Sequence, residues 1–171
     1  MITIINTGGT FNKKYNKVSG KLEIPKNSKS VKKILSKSFY NNLEFDIKGI
    51  IFKDSLDFTK KDREKLLLKI KNSKNSKIVV IHGTDTMDKS IALLKKELDS
   101  LKSKTIIFTG AMKPFEIEKI EATSNLTLAI AYLTFKKLKS GIYIAMNGLF
   151  DCESKIEKDR VNGKFIFKNF K

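Results

Sequence analysis

Cysteine occurs once in the 171 residues, at position 152. A lone thiol excludes an intramolecular disulfide framework and a cysteine-rich zinc site, so Cys152 is read as a free thiol. Long apolar runs are also missing. No stretch approaches the roughly 18 uncharged apolar residues of a membrane-spanning helix. The opening Met-Ile-Thr-Ile-Ile-Asn has neither a basic n-region nor a small-residue cleavage site, and a cytoplasmic location is expected. Acidic residues are scarce: 18 Asp and Glu stand against 35 Lys and Arg, a net charge of +17. Among those cations arginine is scarce, present only as Arg63 and Arg160. The planar fork that reads phosphates and guanine edges is therefore nearly lacking. The lysine pairs, such as Lys13-Lys14 and Lys95-Lys96, are scattered along the chain. Lysines do neutralise phosphates, but this distribution argues against a dedicated nucleic-acid binder.

What is present fits one folded unit over residues 1–171. The apolar fraction is 40%, enough for a core and too high for disorder. No repeat, low-complexity linker or internal boundary is visible. Short apolar runs at 2–6, 43–52, 77–81, 104–109 and 141–146 read as strands. Between them, 28–41, 60–72, the segment after Asp85 and 121–138 show helical spacing. Val31, Ile34, Leu35 and Phe39 share one face of the first. Leu66, Leu67 and Ile70 point inward in the second, which starts at a capping-box-like Thr59…Asp62. Ile91, Leu94, Leu98 and Leu101 mark the third, and Leu126, Ala129, Ile130 and Leu133 the fourth. Residues 11–27 read as a loop or hairpin, and Phe165-Ile166-Phe167 as a short strand or hairpin arm. Strands alternating with helices predict an α/β fold, a doubly wound and mostly parallel sheet with helices on both faces.

In that class ligands bind outside the carboxyl ends of the strands. Three apolar runs end in glycine-containing turns bearing threonine: Thr7-Gly8-Gly9-Thr10, His82-Gly83-Thr84-Asp85 and Thr109-Gly110-Ala111. If the strands are parallel, all three open on one edge. They gather hydroxyls, a carboxylate and backbone amides in one crevice. The first turn matches neither G-x-G-x-x-G nor a Walker A loop, and a helix does not follow it. Hydroxyl-rich turns suit nucleophilic chemistry, for which a threonine needs a base to take its proton. His82, the only histidine, ends a buried strand and reads as a hydrogen-bonded core residue. A lysine held partly neutral can serve instead, and composition leaves open which one.

These residues, in order and spacing, resemble the bacterial L-asparaginase family. The similarity rests on Thr-Gly-Gly-Thr-Phe, His-Gly-Thr-Asp-Thr-Met and Thr-Gly-Ala-Met-Lys-Pro. Residues 53–59, Ser124-Asn125-Leu126 and Ile144-Ala145-Met146-Asn147-Gly148 also look like that family's segments. The resemblance runs from residue 2 to about 165. It implies hydrolysis of a side-chain amide, asparagine foremost, to carboxylate and ammonia without a cofactor or metal. Thr10 matches the nucleophile and Tyr15 the tyrosine that orients it. Thr84 and Asp85 match the second catalytic threonine and its carboxylate, and Lys158 the lysine completing that triad. Ser55 and Asp85 correspond to residues holding the substrate's α-carboxylate and α-ammonium. Amides near Gly9, Thr84 and Ala111 are candidate oxyanion donors, each commonly worth about 3 kcal/mol.

The chain departs from the family's pattern in four places. The smaller C-terminal domain of the usual member is not found in this sequence. Leu56 stands where a polar substrate contact is usual, and Glu121 where aspartate is common. The segment around Lys158 carries a one-residue insertion. Three readings follow: an asparaginase-type amidohydrolase assembling as a homodimer, a domain that binds a small amino-acid-like ligand without turnover, and a polybasic protein associating with nucleic acid or acidic surfaces.

Overall fold

A computed structural model describes residues 1–39 and 43–168. The chain begins with β1 (Ile2–Gly8), followed by a small hairpin of β2 (Lys14–Asn16) and β3 (Lys21–Glu23). Then come α1 (Lys29–Ser38), β4 (Phe45–Lys53), α2 (Lys60–Lys71), β5 (Lys77–Ile81), α3 (Met87–Lys95), β6 (Thr105–Thr109), α4 (Lys119–Phe135) and β7 (Gly141–Met146). The last strands are β8 (Leu149–Cys152), β9 (Ile156–Asp159) and β10 (Lys164–Phe167). Six strands form one sheet in the order β4-β1-β5-β6-β7-β8. Neighbours from β4 to β7 run parallel, and β8 closes the edge antiparallel to β7.

Period-2 alternation in the strands explains the two cores. Ile5, Val80, Phe108 and Ile144 face one side and pack with Leu66 and Ile70 of α2 and Ile91 and Leu94 of α3. Ile4, Val79, Ile81 and Ile107 face the other and pack with Ile34 of α1 and Leu126, Ile130 and Leu133 of α4. Each such side chain, fully buried, contributes about 1.5–3 kcal/mol. The order of strands reverses direction at β1: the chain steps outward to β4, then crosses back to β5 and onward. The carboxyl ends of β1 and β5 thus flank a topological switch point, the place where this class of sheet opens a crevice.

The fourth crossover has the opposite hand to the others. The β5–α3–β6 and β6–α4–β7 connections step in the same direction across the sheet. Yet α3 lies on one face and α4 on the other. Right-handed crossovers are the strong rule, and three of the four agree with one another, which makes β6–α4–β7 the left-handed exception. To reach the far face, residues 110–118 pass over the carboxyl edge of the sheet. There the Phe115 amide donates to the Phe11 carbonyl at 3.4 Å.

Several boundaries differ from the sequence expectation. The first helix ends at Ser38, with Phe39 as its C-cap, and positions 40 and 41 lie outside the described residues. Leu98 does not continue the third helix inward. α3 stops in the polar Lys95-Lys96-Glu97, and a separate 3₁₀ turn over Leu98–Leu101 leaves Leu98 exposed while burying Leu101. α4 begins at Lys119 because the Glu118 carboxylate accepts from the Ile120 and Glu121 amides. Leu67 is only partly buried, while the Thr59–Asp62 capping box forms in full. β8 and β9 are each four residues long, too short to show a period, and β9 (Ile-Glu-Lys-Asp) carries a single apolar residue. Asn147 (φ 51°) and Gly148 (φ 80°) supply the two left-handed residues of the β7–β8 hairpin.

Candidate active site

The first turn is shaped by close approach. Gly9 has φ 71°, and a Cβ there would lie 2.7 Å from the backbone N and Cα of Gly83. The turns after β1 and β5 therefore touch backbone to backbone, which only glycine permits. On its other side Gly83 abuts Ser55, whose Cβ and Oγ would lie 2.7 Å from a Gly83 Cβ. Gly110 packs on the His82 carbonyl and 3.4 Å from Thr84 Cγ2 by the same measure. The three turns named from sequence do converge on one edge, and the Ser55 turn joins them.

Thr10 opens a 3₁₀ turn, Thr10–Asn12, anchored beneath by fully buried Phe11. A reciprocal amide pair holds it from the strand side. Asn12 Nδ2 donates to Asn6 Oδ1 at 2.8 Å and to the Gly8 carbonyl at 2.7 Å, and Asn6 Nδ2 donates to Asn12 Oδ1 at 3.0 Å. Lys13 pairs with Asp54 at 2.7 Å, tying this turn to the one bearing Ser55. Burial opposes charge on Asp54, but the bonds from Lys13 and from the Leu56 and Ser55 amides outweigh it. Its carboxyl is held below the usual carboxylate range. The Thr10 hydroxyl makes no hydrogen bond among the described residues, so it is not consumed in stabilising its own turn.

The second turn carries a hydrogen-bonded constellation. Lys158 Nζ, from β9, donates to Asp85 Oδ1 at 2.6 Å and to Thr84 Oγ1 at 3.0 Å. With that lone pair occupied, the Thr84 hydroxyl donates its proton to Met112 Sδ at 3.2 Å. Arg160 donates to the Asp85 carbonyl at 2.9 Å and stands 3.9 Å from its carboxylate. Asp85 does not cap α3. The N-cap is Thr86, whose hydroxyl accepts from Arg63 at 3.0 Å and donates to the Ser55 carbonyl at 2.7 Å. Both arginines of the chain thus brace the His82–Thr86 turn.

His82 sits in the core between Phe58 and Phe108. Burial pushes its imidazole down from 6.5 to about 4, only partly countered by the Gly83 carbonyl. The neutral ring donates from Nδ1 to that carbonyl at 2.7 Å, and Nε2 accepts from the Ser90 hydroxyl at 2.8 Å. The unfolded chain binds this proton near pH 6.5 and the folded chain only near 4. The stability His82 contributes is therefore whole above pH 6.5 and is lost as pH falls through 4. At pH 4.5 the loss is roughly 2–3 kcal/mol. Urea midpoints at pH 7 and 4.5 should show a smaller acid loss for His82→Gln than for the parent chain.

Other sequence-named groups are placed differently. Thr7 and Thr109 are fully buried, and their hydroxyls donate to the Ile81 and Ala145 carbonyls at 2.8 and 2.9 Å. They satisfy neighbouring carbonyls where the strand ladders end and do not face the crevice. The Gly9 amide donates to the Lys53 carbonyl at 2.9 Å, so it is not a free oxyanion donor. Ser55 and Ala111 are buried, and Ser55 Oγ already accepts from the Thr86 amide at 3.3 Å. Tyr15 lies exposed on the β2–β3 hairpin, paired with Leu22. Among the described residues no hydrogen bond joins it to Thr10. Thr84 and Lys158 also line a cleft of about 450 Å³ between α3 and the β9–β10 hairpin, but Thr10, Ser55 and Tyr15 do not border it.

The sequence reading gave no positioning role to several residues, among them Glu121 and Asn125, which it named only as family positions. Glu121 accepts from the Met112 and Lys113 amides at 3.0 Å each and clamps the loop that bears Met112. Asn125 donates to the Gly110 carbonyl at 3.0 Å and accepts from the Asn147 amide at 2.8 Å. An asparagine ending the apolar run Ile-Thr-Ile-Ile-Asn was a visible signal for the Asn6–Asn12 pair.

The family profile described as "Asparaginase, N-terminal" matches residues 1–169. A comparison with curated protein sequences gave no match. Among solved structures, the thermostable L-asparaginase from Thermococcus kodakarensis superposes with a TM-score of 0.79 at 19% identity, covering 99% of this chain and 52% of that one. L-asparaginase I from Vibrio cholerae gives 0.77 at 22% identity, with 99% and 52% covered. A probable cytoplasmic L-asparaginase from Campylobacter jejuni gives 0.76 at 22%, with 99% and 53% covered. At these identities the likeness is one of fold, and the chain spans about half the length of those relatives. The profile match, over nearly every residue, places this chain in the asparaginase family, as its N-terminal domain.

Proposed function

We propose that this domain carries an asparaginase-type amidohydrolase site, acting in the cytoplasm on the side-chain amide of asparagine or a related small amide. The observation that carries the reading is Lys158, which reaches across 73 residues of sequence to bond Asp85 and Thr84 together. In the proposed reaction the Thr10 oxygen attacks the amide carbon and its proton is taken up by the site. The C–N bond breaks as the nitrogen receives a proton, and ammonia leaves. Water then attacks the acyl-threonine, its oxygen joins the carboxylate product, and Thr10 regains a proton. Thr84, Lys158 and Asp85 handle the proton transfers, with Asp85 fixing the ammonium and Lys158 fixing the Thr84 hydroxyl. Amides at Thr84 and Ala111 are the remaining oxyanion donors. Ser55 and Asp85 receive the α-carboxylate and α-ammonium, Ser55 after the 54–57 turn shifts to uncover it. Tyr15 closes over Thr10 from the hairpin.

Ammonia and aspartate released from asparagine, with glutamine and simple amides alongside, test this directly. Lys158→Met keeps the stem and removes both hydrogen bonds. It is expected to lower turnover by about 10²–10⁴-fold, and unchanged turnover would remove the constellation from the mechanism.

A second reading is binding without turnover. It draws on the absence, among the described residues, of a base within hydrogen-bond reach of the Thr10 hydroxyl. It predicts thermal stabilisation by aspartate with no ammonia formed.

A further inference from the structure

We propose that Met112 is a positioning residue for the amide reaction: its sulfur holds the Thr84 proton in a bond soft enough to be surrendered, and oxidising that sulfur to the sulfoxide stops turnover. The inference rests on the amidohydrolase reading of the site. It starts from the valence of one hydroxyl. Thr84 Oγ1 has a single proton to give and two lone pairs. Lys158 Nζ, as an ammonium, occupies one lone pair at 3.0 Å and can accept no proton. The Thr84 proton goes to Met112 Sδ at 3.2 Å. A thioether is a weak acceptor, whereas an amide or sulfoxide oxygen is a strong one. In the reaction the Thr84 proton must leave its resting partner and move toward the departing nitrogen. Sulfur aims that proton and competes little for it. An oxygen in the same place would keep it.

The seat of Met112 is held from both ends. The Glu121 carboxylate takes the Met112 and Lys113 amides, which fixes the backbone. At the other end, a Cβ on Gly163 in the β9–β10 turn would lie 4.0 Å from Met112 Cε. The side chain therefore reaches the hairpin that delivers Lys158. Asn147 ties the two supports together: its Nδ2 donates to Glu121 Oε1 at 3.2 Å, and its Oδ1 accepts from the Phe165 amide of β10 at 3.3 Å. Sulfur and ammonium thus approach Thr84 in a fixed relation. Of the four methionines, Met87 and Met146 are enclosed in the core and Met1 is exposed at the terminus. Met112 packs on the core but is only partly buried. The sulfur lone pair that Thr84 leaves free can take an oxygen from hydrogen peroxide. An S–O bond forms, the O–O bond breaks, and the other oxygen leaves as water with both hydrogens. The sulfoxide oxygen then retains the Thr84 proton. Methionine sulfoxide reductases remove that oxygen at the expense of a dithiol, so the change is reversible.

Steady-state kinetics on the full chain with asparagine test this, in a Cys152→Ser background so that no thiol reacts. Met112→Gln places an amide oxygen at similar reach. It is expected to lower kcat about tenfold or more while KM changes by less than about twofold. Met112→Leu keeps the apolar volume, offers no acceptor, and is expected to lose less than Met112→Gln. Melting curves set the folded concentration at which rates are compared. Hydrogen peroxide is expected to lower the kcat of the parent in step with the oxygen gained at Met112, read by peptide mass. Methionine sulfoxide reductase should restore it. Met112→Leu should keep its own rate through the same exposure. The proposal is overturned by a Met112→Gln as active as Met112→Leu, by a Met112 sulfoxide with full kcat, or by an equal peroxide loss in Met112→Leu. One measurement stands apart from turnover. With isotope-labelled methionine methyl groups, the Met112 resonance should shift in Thr84→Val, and a resonance indifferent to that change overturns the contact itself. A resonance that shifts in a chain releasing no ammonia from any amide overturns the hydrolase reading, and the positioning role with it, while the contact stands.

Discussion

Thr10→Ala is expected to abolish amide hydrolysis, with turnover falling by at least about 10³-fold, while the fold stays intact. The two halves of that result have separate causes. The hydroxyl sits on a turn fixed by other groups: the Asn6–Asn12 amide pair, the Gly9–Gly83 backbone contact and the Lys13–Asp54 ion pair. Since Thr10 Oγ1 bonds nothing else among the described residues, its removal should shift stability by less than about 0.5 kcal/mol. What is lost is the atom that would attack the amide carbon. Thr10→Ser restores an oxygen on the same carbon and should recover part of the rate. Ammonia release by parent and variant, at matched folded concentration, measures the loss. Undiminished release by Thr10→Ala would move the nucleophile elsewhere, with Thr84 the next candidate.

Phe11→Ala is expected to cost about 3–5 kcal/mol of stability, the range for deleting a buried aromatic ring. Phe11 is fully buried and belongs to the core cluster that also holds Ile4, Val31, Ile81, Ala111 and Phe115. That cluster joins β1, α1, β5 and the 110–118 crossover. The cavity would open directly under the turn that presents Thr10. Denaturant midpoints should fall accordingly, and activity per folded molecule should fall too. Phe11→Leu keeps most of the apolar volume and should cost markedly less on both counts. If Phe11→Ala were as stable as the parent, the 110–118 loop would not be seated on this ring.

Part of the site was legible because it is written in local chemistry. Glycines after apolar runs, the pair Gly8-Gly9 before Thr10 and the single Gly83 before Thr84-Asp85, mark turns at strand ends whatever the rest of the chain does. Other parts were hidden because the partner lies far away in sequence. Nothing near Thr7 or Thr109 says that carbonyls 74 and 36 residues on will take their protons. The clue in the two arginines was their rarity. In a chain that uses lysine nearly everywhere, Arg63 and Arg160 both bond groups of one turn, where a planar fork with fixed donors is needed.

By itself the sequence determined the alternation of strands and helices, the two-faced apolar pattern of β1, β5 and β6, and the glycine turns. Each is encoded in a few neighbouring residues, through side-chain period and backbone freedom. Only the tertiary structure decided which face α4 covers, and with it the left-handed crossover that carries Met112 over Thr84. Only it showed Lys158 arriving from a hairpin too polar to display a strand period, and Ser55 enclosed behind Gly83. Those outcomes depend on packing between segments far apart along the chain, where no local preference distinguishes one face of the sheet, or one acceptor, from another.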